Sequence, residues 1–81
     1  MLNTLLRLPA VKAQCGYSRS TIYLRISQRL WTRPVSLGAR SVAWPASEVL
    51  ALNAARIAGK SEADIRALVA TLETARTAQP A

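Results

Sequence analysis

The sequence has no histidine, no phenylalanine and a single cysteine among its 81 residues. One cysteine cannot form a disulfide within the chain, and without histidine no cysteine–histidine metal site can be assembled. The four carboxylates all lie in the second half, and none is near a glycine-rich phosphate loop. We therefore expect no enzymatic activity and no metal or other cofactor, and we expect Cys15 to be a small buried residue at a helix end.

Long apolar runs are absent as well. No stretch approaches the roughly 18 apolar residues that a membrane-spanning helix requires. The first residues, MLNTLLRLPAV, have no charged region ahead of their apolar positions and are not typical of a secretory signal peptide. These features predict a cytoplasmic protein, associated with the nucleoid if it binds DNA, that makes no contact with membranes.

Acidic residues are missing from the first part of the chain. Residues 1–45 carry seven basic side chains and no acidic one, whereas residues 46–81 carry four of each, so the net charge of +7 comes from the first part. A basic block beside a neutral one is the charge distribution of a polyanion-binding face attached to a structural segment. The alternative is a merely soluble basic surface, but complete exclusion of acids is unusual for a solvated face.

The chain's length, with 51% hydrophobic and 19% charged residues, predicts one small folded domain. Its apolar residues are mainly leucine, valine, isoleucine and alanine, which favours helices over a large sheet. The short segment AGK at residues 58–60 is the one candidate boundary. We assign residues 1–60 to the main domain and residues 61–81 to an amphipathic helix for packing or dimerisation.

Residues 9–15 and 19–29 are predicted to form two helices joined by the turn GYS. Pro9 suits the first turn of a helix, Gly16 permits its end, and Ser18 is a strong N-cap for the second helix. This order of signals is a helix-turn-helix pattern.

The second helix separates an apolar side from a side rich in hydroxyl groups. Its inner side has Ile22 and Ile26, and the positions across from them are Ser20, Tyr23, Leu24 and Ser27. A helix that enters the major groove of DNA needs such an outer face, because hydroxyl groups bond to phosphates and base edges. Alternatively, Tyr23 and Leu24 complete the core; the DNA-facing interpretation is better supported for Tyr23 than for Leu24.

After Pro34 the pattern becomes that of two short strands, VSL and SVAW, around the turn GAR. The strand side chains expected to cover the helices are Val35, Leu37, Val42 and Trp44. A two-stranded ribbon persists only when it packs against other elements. As a wing beside the second helix, it would place Arg40 in a minor groove or against phosphates, with Arg33 anchoring its base on the backbone. The alternative for Arg40 is a solvated turn residue.

Two further helices are predicted at residues 45–58 and 62–77. The inner residues of the first are Val49, Leu52 and Ile57, and Glu48 in its first turn complements the helix dipole. The second begins with the capping sequence SEAD, and its apolar stripe consists of Ile65, Leu68, Val69 and Leu72. This last helix either folds back on the domain or pairs with a second copy. Together the elements predict a mainly α fold with a small β-hairpin, a winged helix-turn-helix of about four helices and a two-stranded wing.

Five short fragments carry a resemblance: LP at 8–9, SRSTIY at 18–23, RPV at 33–35, LGAR at 37–40 and W..SEV at 44–49. Their order and spacing resemble the AlpA family of phage-type transcriptional regulators, which belongs with the excisionases and MerR-like winged helix-turn-helix proteins. The resemblance covers roughly residues 7–61. It implies a small bacterial or prophage protein that binds double-stranded DNA. The residues it places near DNA are Arg19, Ser20, Thr21 and Tyr23 on the recognition helix and Arg40 on the wing.

Members of that family activate or repress transcription of mobile-element genes, and relatives bend DNA to direct excision by a recombinase. Our leading hypothesis is a sequence-specific regulator in which the second helix reads bases and five arginines neutralise phosphates: Arg19, Arg25, Arg29, Arg33 and Arg40. An excisionase-like bending factor would use the same residues. A protein-interaction module would instead use the stripe of residues 65–72. Expected partners besides DNA are a second copy bound through the last helix, an integrase and RNA polymerase.

Three positions depart from the family pattern. Leu24 replaces a basic or polar residue of the recognition helix, Ser36 replaces a residue that is often lysine on the wing, and Asn53 replaces a large apolar residue. We expect Leu24 to reduce phosphate contact, and this departure leaves the base preference of the helix open. We expect Asn53 to make a polar contact with the last helix or with a partner subunit.

Overall fold

The computed structural model describes residues 4–78. Its elements in chain order are strand β1 (Leu5–Leu6), helices α1 (Leu8–Cys15) and α2 (Arg19–Ser27), strands β2 (Val35–Gly38) and β3 (Ser41–Pro45), and helices α3 (Ala46–Ile57) and α4 (Glu62–Ala78). Four helices and a small antiparallel sheet confirm the predicted winged helix-turn-helix class. Over these described residues, no helix combines the length and the apolar character needed to cross a membrane.

The turn between α1 and α2 forms as its local signals predict. Gly16 ends α1 with a left-handed backbone, φ 76°, and its N–H donates to the carbonyl of Lys12 over 2.9 Å. Ser18 then caps α2, because its Oγ accepts the N–H of Thr21 at 3.2 Å. This cap satisfies one of the backbone donors that every helix start leaves without a partner.

Helix α2 ends at Ser27, before the predicted limit at residue 29. Arg29 has φ 62°, and the next N–H, from Leu30, donates back to the carbonyl of Arg25 at 2.8 Å. This is the six-to-one bond of a Schellman ending, a position where glycine is the usual residue. The reversal directs three consecutive residues into the interior: Leu30, Trp31 and Thr32.

The sheet has three strands in the order β1-β3-β2, all antiparallel, rather than the two that were predicted. Strand β1 pairs Leu5 with Pro45 and Leu6 with Trp44. Two residues are too few to show an alternating pattern, so the sequence carries no signal for this strand. By pairing with β3, it ties the start of the chain to the wing.

Leu37 does not cover the helices as predicted; its side chain is 45% exposed. The pairing of β2 with β3 shifts register between Ser36 and Gly38, which makes Leu37 the extra residue of a β-bulge. The Ser36 hydroxyl accepts the N–H of Gly38 at 3.3 Å and lies 3.4 Å from its carbonyl oxygen. Of the other predicted covering residues, Trp44 is buried and Val35 and Val42 are half-buried, while Ala43 is buried without having been predicted.

One core joins all four helices to the wing. Its buried members are Val11, Ile22, Leu30, Trp31, Trp44, Val49, Leu52, Ile65 and Val69. Trp44 also donates its Nε1 hydrogen to the carbonyl of Thr32 at 3.0 Å, which fixes β3 to the loop after α2. Cys15 packs half-buried against this core as a free thiol.

Helix α4 folds back on α3 and contributes Ile65 and Val69 to the core, with Leu68 and Leu72 beside them. The Ser61 Oγ caps its first turn by accepting the N–H of Asp64 at 3.2 Å. Folding back is therefore the arrangement of the single chain. Pairing of α4 with a second copy stays a prediction.

Helix α3 buries Val49 and Leu52 as predicted, but Ile57 is 86% exposed. At 100° per residue Ile57 lies about 140° around the helix from Leu52, so it cannot share the inner stripe.

Asn53 also differs from expectation: its Nδ2 donates to the carbonyl of Gln14 in α1 at 3.1 Å, not to the last helix. Asn53 thereby satisfies a carbonyl at the end of α1.

Glu48 is buried in an ion pair rather than facing solvent at the start of α3. Its carboxylate accepts from Nε and Nη2 of Arg76 at 2.8 and 2.7 Å, and it is 4% exposed. The hydrogen bond to Glu48 raises the pKa of Arg76, against a smaller lowering by burial. The same Nη2 donates to the carbonyl of Arg33 at 2.6 Å, so one guanidinium joins α3, α4 and the loop before β2.

We expect Arg76→Ala to lower the free energy of unfolding by about 3 kcal/mol, because Glu48 would remain buried without a partner. Urea denaturation followed by circular dichroism measures this change. Arg56→Ala, which removes an exposed arginine from α3, is the matched control and should cost less than about 0.5 kcal/mol. Joint replacement of Glu48 and Arg76 by leucine should recover most of the loss. Equal effects of the two single arginine variants would contradict this account.

Candidate nucleic-acid interface

The start of α2 is exposed and has no acidic side chain in its first turn. Arg19 and Ser20 occupy this turn with their side chains in solvent. The backbone N–H groups at a helix start carry a partial positive charge, to which Arg19 adds a full one. This end of α2 is therefore suited to an anionic ligand such as a phosphate group.

The hydroxyl groups predicted near DNA differ in their availability. Ser18 donates to Oγ1 of Thr21 at 3.0 Å, which ties the half-buried Thr21 to the cap. Ser27 donates its hydroxyl to the carbonyl of Leu24 at 2.6 Å. Ser20 has no hydrogen-bond partner for its hydroxyl within the part of the chain that the structure describes. Of these hydroxyls, that of Ser20 is the one most available to a ligand.

Tyr23 lies at the edge of the core with 37% of its surface exposed. One side of its ring meets Trp44 edge-on, with the centroids 6.4 Å apart, and the guanidinium carbon of Arg19 is 5.4 Å from the ring centroid. The ring thus holds Arg19 through a cation–π contact. Leu24 is 56% exposed, so the alternative in which it completes the core is wrong.

Arg25 is half-buried on the other flank of α2, about 160° around the helix from Tyr23 at 100° per residue. Its guanidinium carbon is 4.7 Å from the centroid of Tyr17, and this ring meets Trp31 edge-on at 6.1 Å. Its Nε is buried without a hydrogen-bond partner among the described residues. Tyr17, in the turn GYS, was not identified from the sequence as part of the site.

Arg29 and Arg33 lie in the loop after α2, where they line a groove of about 560 Å³ with Arg66 of α4. The side chain of Arg33 is 74% exposed, and its Nε is 3.5 Å from Oε2 of Glu73. The backbone N–H of Arg33 donates to the same oxygen at 2.8 Å. Glu73 therefore offsets part of the charge that the sequence assigned to DNA at this position.

Helix α4 fixes the loop between α2 and the wing at both ends. Arg66 donates its Nε hydrogen to the carbonyl of Gln28 at 3.0 Å and lies 3.8 Å from Glu62. At the other end, Glu73 and Arg76 bond to the backbone of Arg33. Sequence reasoning missed this role, because the charged residues of α4 carry no local sign of which carbonyl or N–H they reach.

Arg40 is exposed in the two-residue turn between β2 and β3, with a left-handed backbone at φ 61°. It projects from the tip of the wing, and it has no carboxylate partner within residues 4–78. The predicted residues thus occupy three places: the exposed side and flanks of α2, the loop after α2, and the tip of the wing.

The described residues hold no group of three histidine, cysteine or acidic side chains close enough to bind a metal ion. The polar groups of the surface described above are mostly guanidinium, hydroxyl and backbone N–H groups, which bind anions.

Comparisons with known proteins identify the family of the chain. The model of the family described as Prophage CP4-57 regulatory protein (AlpA) matches residues 4–52, from β1 into α3. A relative from Enterobacteria phage P4, described as uncharacterized protein ORF88, is 53% identical over 55 residues, which cover 68% of this chain and 62% of that protein. The chain thus spans less than two thirds of this relative's length. No solved structure shows a significant match.

The family match includes the helix-turn-helix, the wing and the start of α3, which are the segments where the fragments SRSTIY, LGAR and W..SEV lie. It covers more than half of the sequence and confirms the resemblance on which those fragments were identified. The chain therefore belongs to the AlpA family of prophage regulatory proteins.

Proposed function

We propose that the protein binds double-stranded DNA in a sequence-specific way and regulates transcription of prophage or mobile-element genes. In this proposal α2 lies in the major groove, and the β2–β3 wing contacts the adjacent backbone or minor groove. Membership of a prophage regulatory family supports the regulatory part. The DNA-binding part is supported by how the charged side chains are paired.

The observation that carries the proposal is that four of the five arginines assigned to the site have no carboxylate partner among residues 4–78. Three carboxylates, those of Glu48, Glu62 and Glu73, each lie within 4 Å of an arginine: Arg76, Arg66 and Arg33 respectively. Among residues 4–78, no carboxylate pairs with the four other arginines of the predicted site: Arg19, Arg25, Arg29 and Arg40. Cationic side chains without a carboxylate partner attract the phosphates of a duplex.

The backbone at two of these arginines supports the same proposal. Arg29 and Arg40 are the non-glycine residues with positive φ in the described part of the chain. A left-handed conformation costs a residue with a Cβ roughly 1–2 kcal/mol, whereas glycine adopts it freely. Glycine would avoid this conformational cost at both turns. The presence of arginine instead supports a use for the two cationic side chains.

Phosphate contact predicts a strong dependence of affinity on salt. If four to six phosphates are contacted, the slope of log affinity against log salt concentration should be about −3.6 to −5.4. Fluorescence anisotropy with a labelled duplex in a series of KCl concentrations measures this slope. An affinity that does not change with salt, or no binding to any duplex, would disprove the proposal.

Replacing either positive-φ arginine by glycine separates the backbone from the side chain. We expect Arg40→Gly and Arg29→Gly each to raise the free energy of unfolding or leave it unchanged, because the left-handed backbone is relaxed. Each should weaken binding to all sequences. Each should also make the slope of log affinity against log salt concentration less negative by about 0.9. Arg56→Ala, the same loss of charge on α3, is the control and should leave the slope unchanged. If all three variants weaken binding equally, net charge rather than contact at these turns is responsible.

The available hydroxyl on α2 predicts a change in discrimination. Ser20→Ala should weaken binding to the preferred site about five- to tenfold, the equivalent of one lost hydrogen bond, with little effect on non-specific duplexes. Ser27→Ala is the matched control, because its hydroxyl is already bonded to the carbonyl of Leu24. Competition binding between preferred and scrambled duplexes measures both. Unchanged discrimination in Ser20→Ala would show that α2 is oriented differently on DNA.

A further inference from the structure

A line of exposed side chains without charge runs along α2 to its C-cap. We call it the α2 crest: Ser20, Leu24, Ser27 and the C-cap residue Gln28, at spacings of four, seven and eight residues from the first. These spacings place them on one side of the helix, opposite the buried Ile22. Leu24, at the centre of the crest, is 56% exposed and is the crest's one apolar side chain.

The two cations of α2, Arg19 and Arg25, lie on its flanks, on either side of the crest. Arg19 lies over the ring of Tyr23, and Arg25 lies over the ring of Tyr17. The hydroxyl of Ser27 is occupied by the carbonyl of Leu24. The centre of the crest is therefore the isobutyl group of Leu24, and the other crest residues carry no charge.

In the major groove the apolar group offered by a base edge is the 5-methyl group of thymine. An isobutyl group placed against the other base edges would displace water from polar atoms without replacing their hydrogen bonds. We propose that Leu24 contacts a thymine methyl group and makes thymine the preferred base at one position of the bound site. This inference rests on the proposed DNA-binding function, since it requires the crest to face the major groove.

Ser20 lies one helical turn before Leu24, and its hydroxyl is available to a neighbouring base edge or phosphate. The crest thus combines one apolar contact with one polar contact. In the proposed complex, this arrangement allows α2 to read DNA with leucine, rather than a long polar side chain, at position 24. It gives Leu24 a role in base preference, whereas the flanking arginines contribute affinity for any sequence.

The test begins with selection of bound duplexes from a random pool, followed by replacement of each thymine in the selected site by deoxyuridine, one at a time. This replacement removes a single methyl group and leaves every hydrogen-bonding atom in place. We expect one position in each bound half-site or monomer site to lose affinity about fourfold, the effect of losing the burial of one methyl group. In Leu24→Ala, the same replacement should have no effect at that position.

The matched control is Leu50→Ala, which removes a similarly exposed leucine from α3 and should retain the full effect of deoxyuridine. Circular dichroism verifies folding of both variants, since alanine favours the helix at exposed positions. The inference is overturned, with DNA binding intact, if the selected site lacks thymine, if deoxyuridine has no effect, or if Leu24→Ala keeps the effect. Absence of binding to any duplex would instead remove the proposed function together with this inference.

Discussion

The buried ion pair between Glu48 and Arg76 is the interaction on which the placement of the wing depends. A glutamate residue that is only 4% exposed requires a compensating charge and hydrogen bonds for its carboxylate, and Arg76 supplies both through two short contacts. Its remaining contact, to the carbonyl of Arg33, fixes the chain where it leaves α2 and enters β2. Because α3 and α4 contribute the two charges, the position of the wing relative to α2 depends on both helices.

The same pairing explains how the charges of the molecule are distributed. Three of the four carboxylates of α3 and α4 lie against arginines of α4 and of the loop after α2. The arginines on α2 are instead stacked on tyrosine rings, which are themselves packed against buried tryptophans. A guanidinium held in this way loses less conformational freedom when it meets a ligand than a free side chain does. The fold thus produces a cationic surface whose side chains are partly ordered in advance.

Much of the fold was predictable from sequence because its signals are local. Ser18 and Ser61 cap helices through contacts with residues three positions ahead, and Gly16 ends a helix within one turn. The acid-free first half and the turn that exposes Arg40 are likewise readable along the chain. These features depend on spacing and charge within a few residues, so tertiary packing did not change them.

Tertiary structure alone decided which distant groups meet. No pattern along the chain pairs β1 with β3, directs Asn53 to α1, or selects Arg76 as the partner of Glu48, since these contacts join residues 28 to 40 positions apart. The bulge at Leu37 likewise depends on how β2 meets β3. The sequence by itself determined the helices, their caps and the sign of the charge. Packing determined which charges are neutralised and which remain available, because burial and pairing are properties of the assembled core.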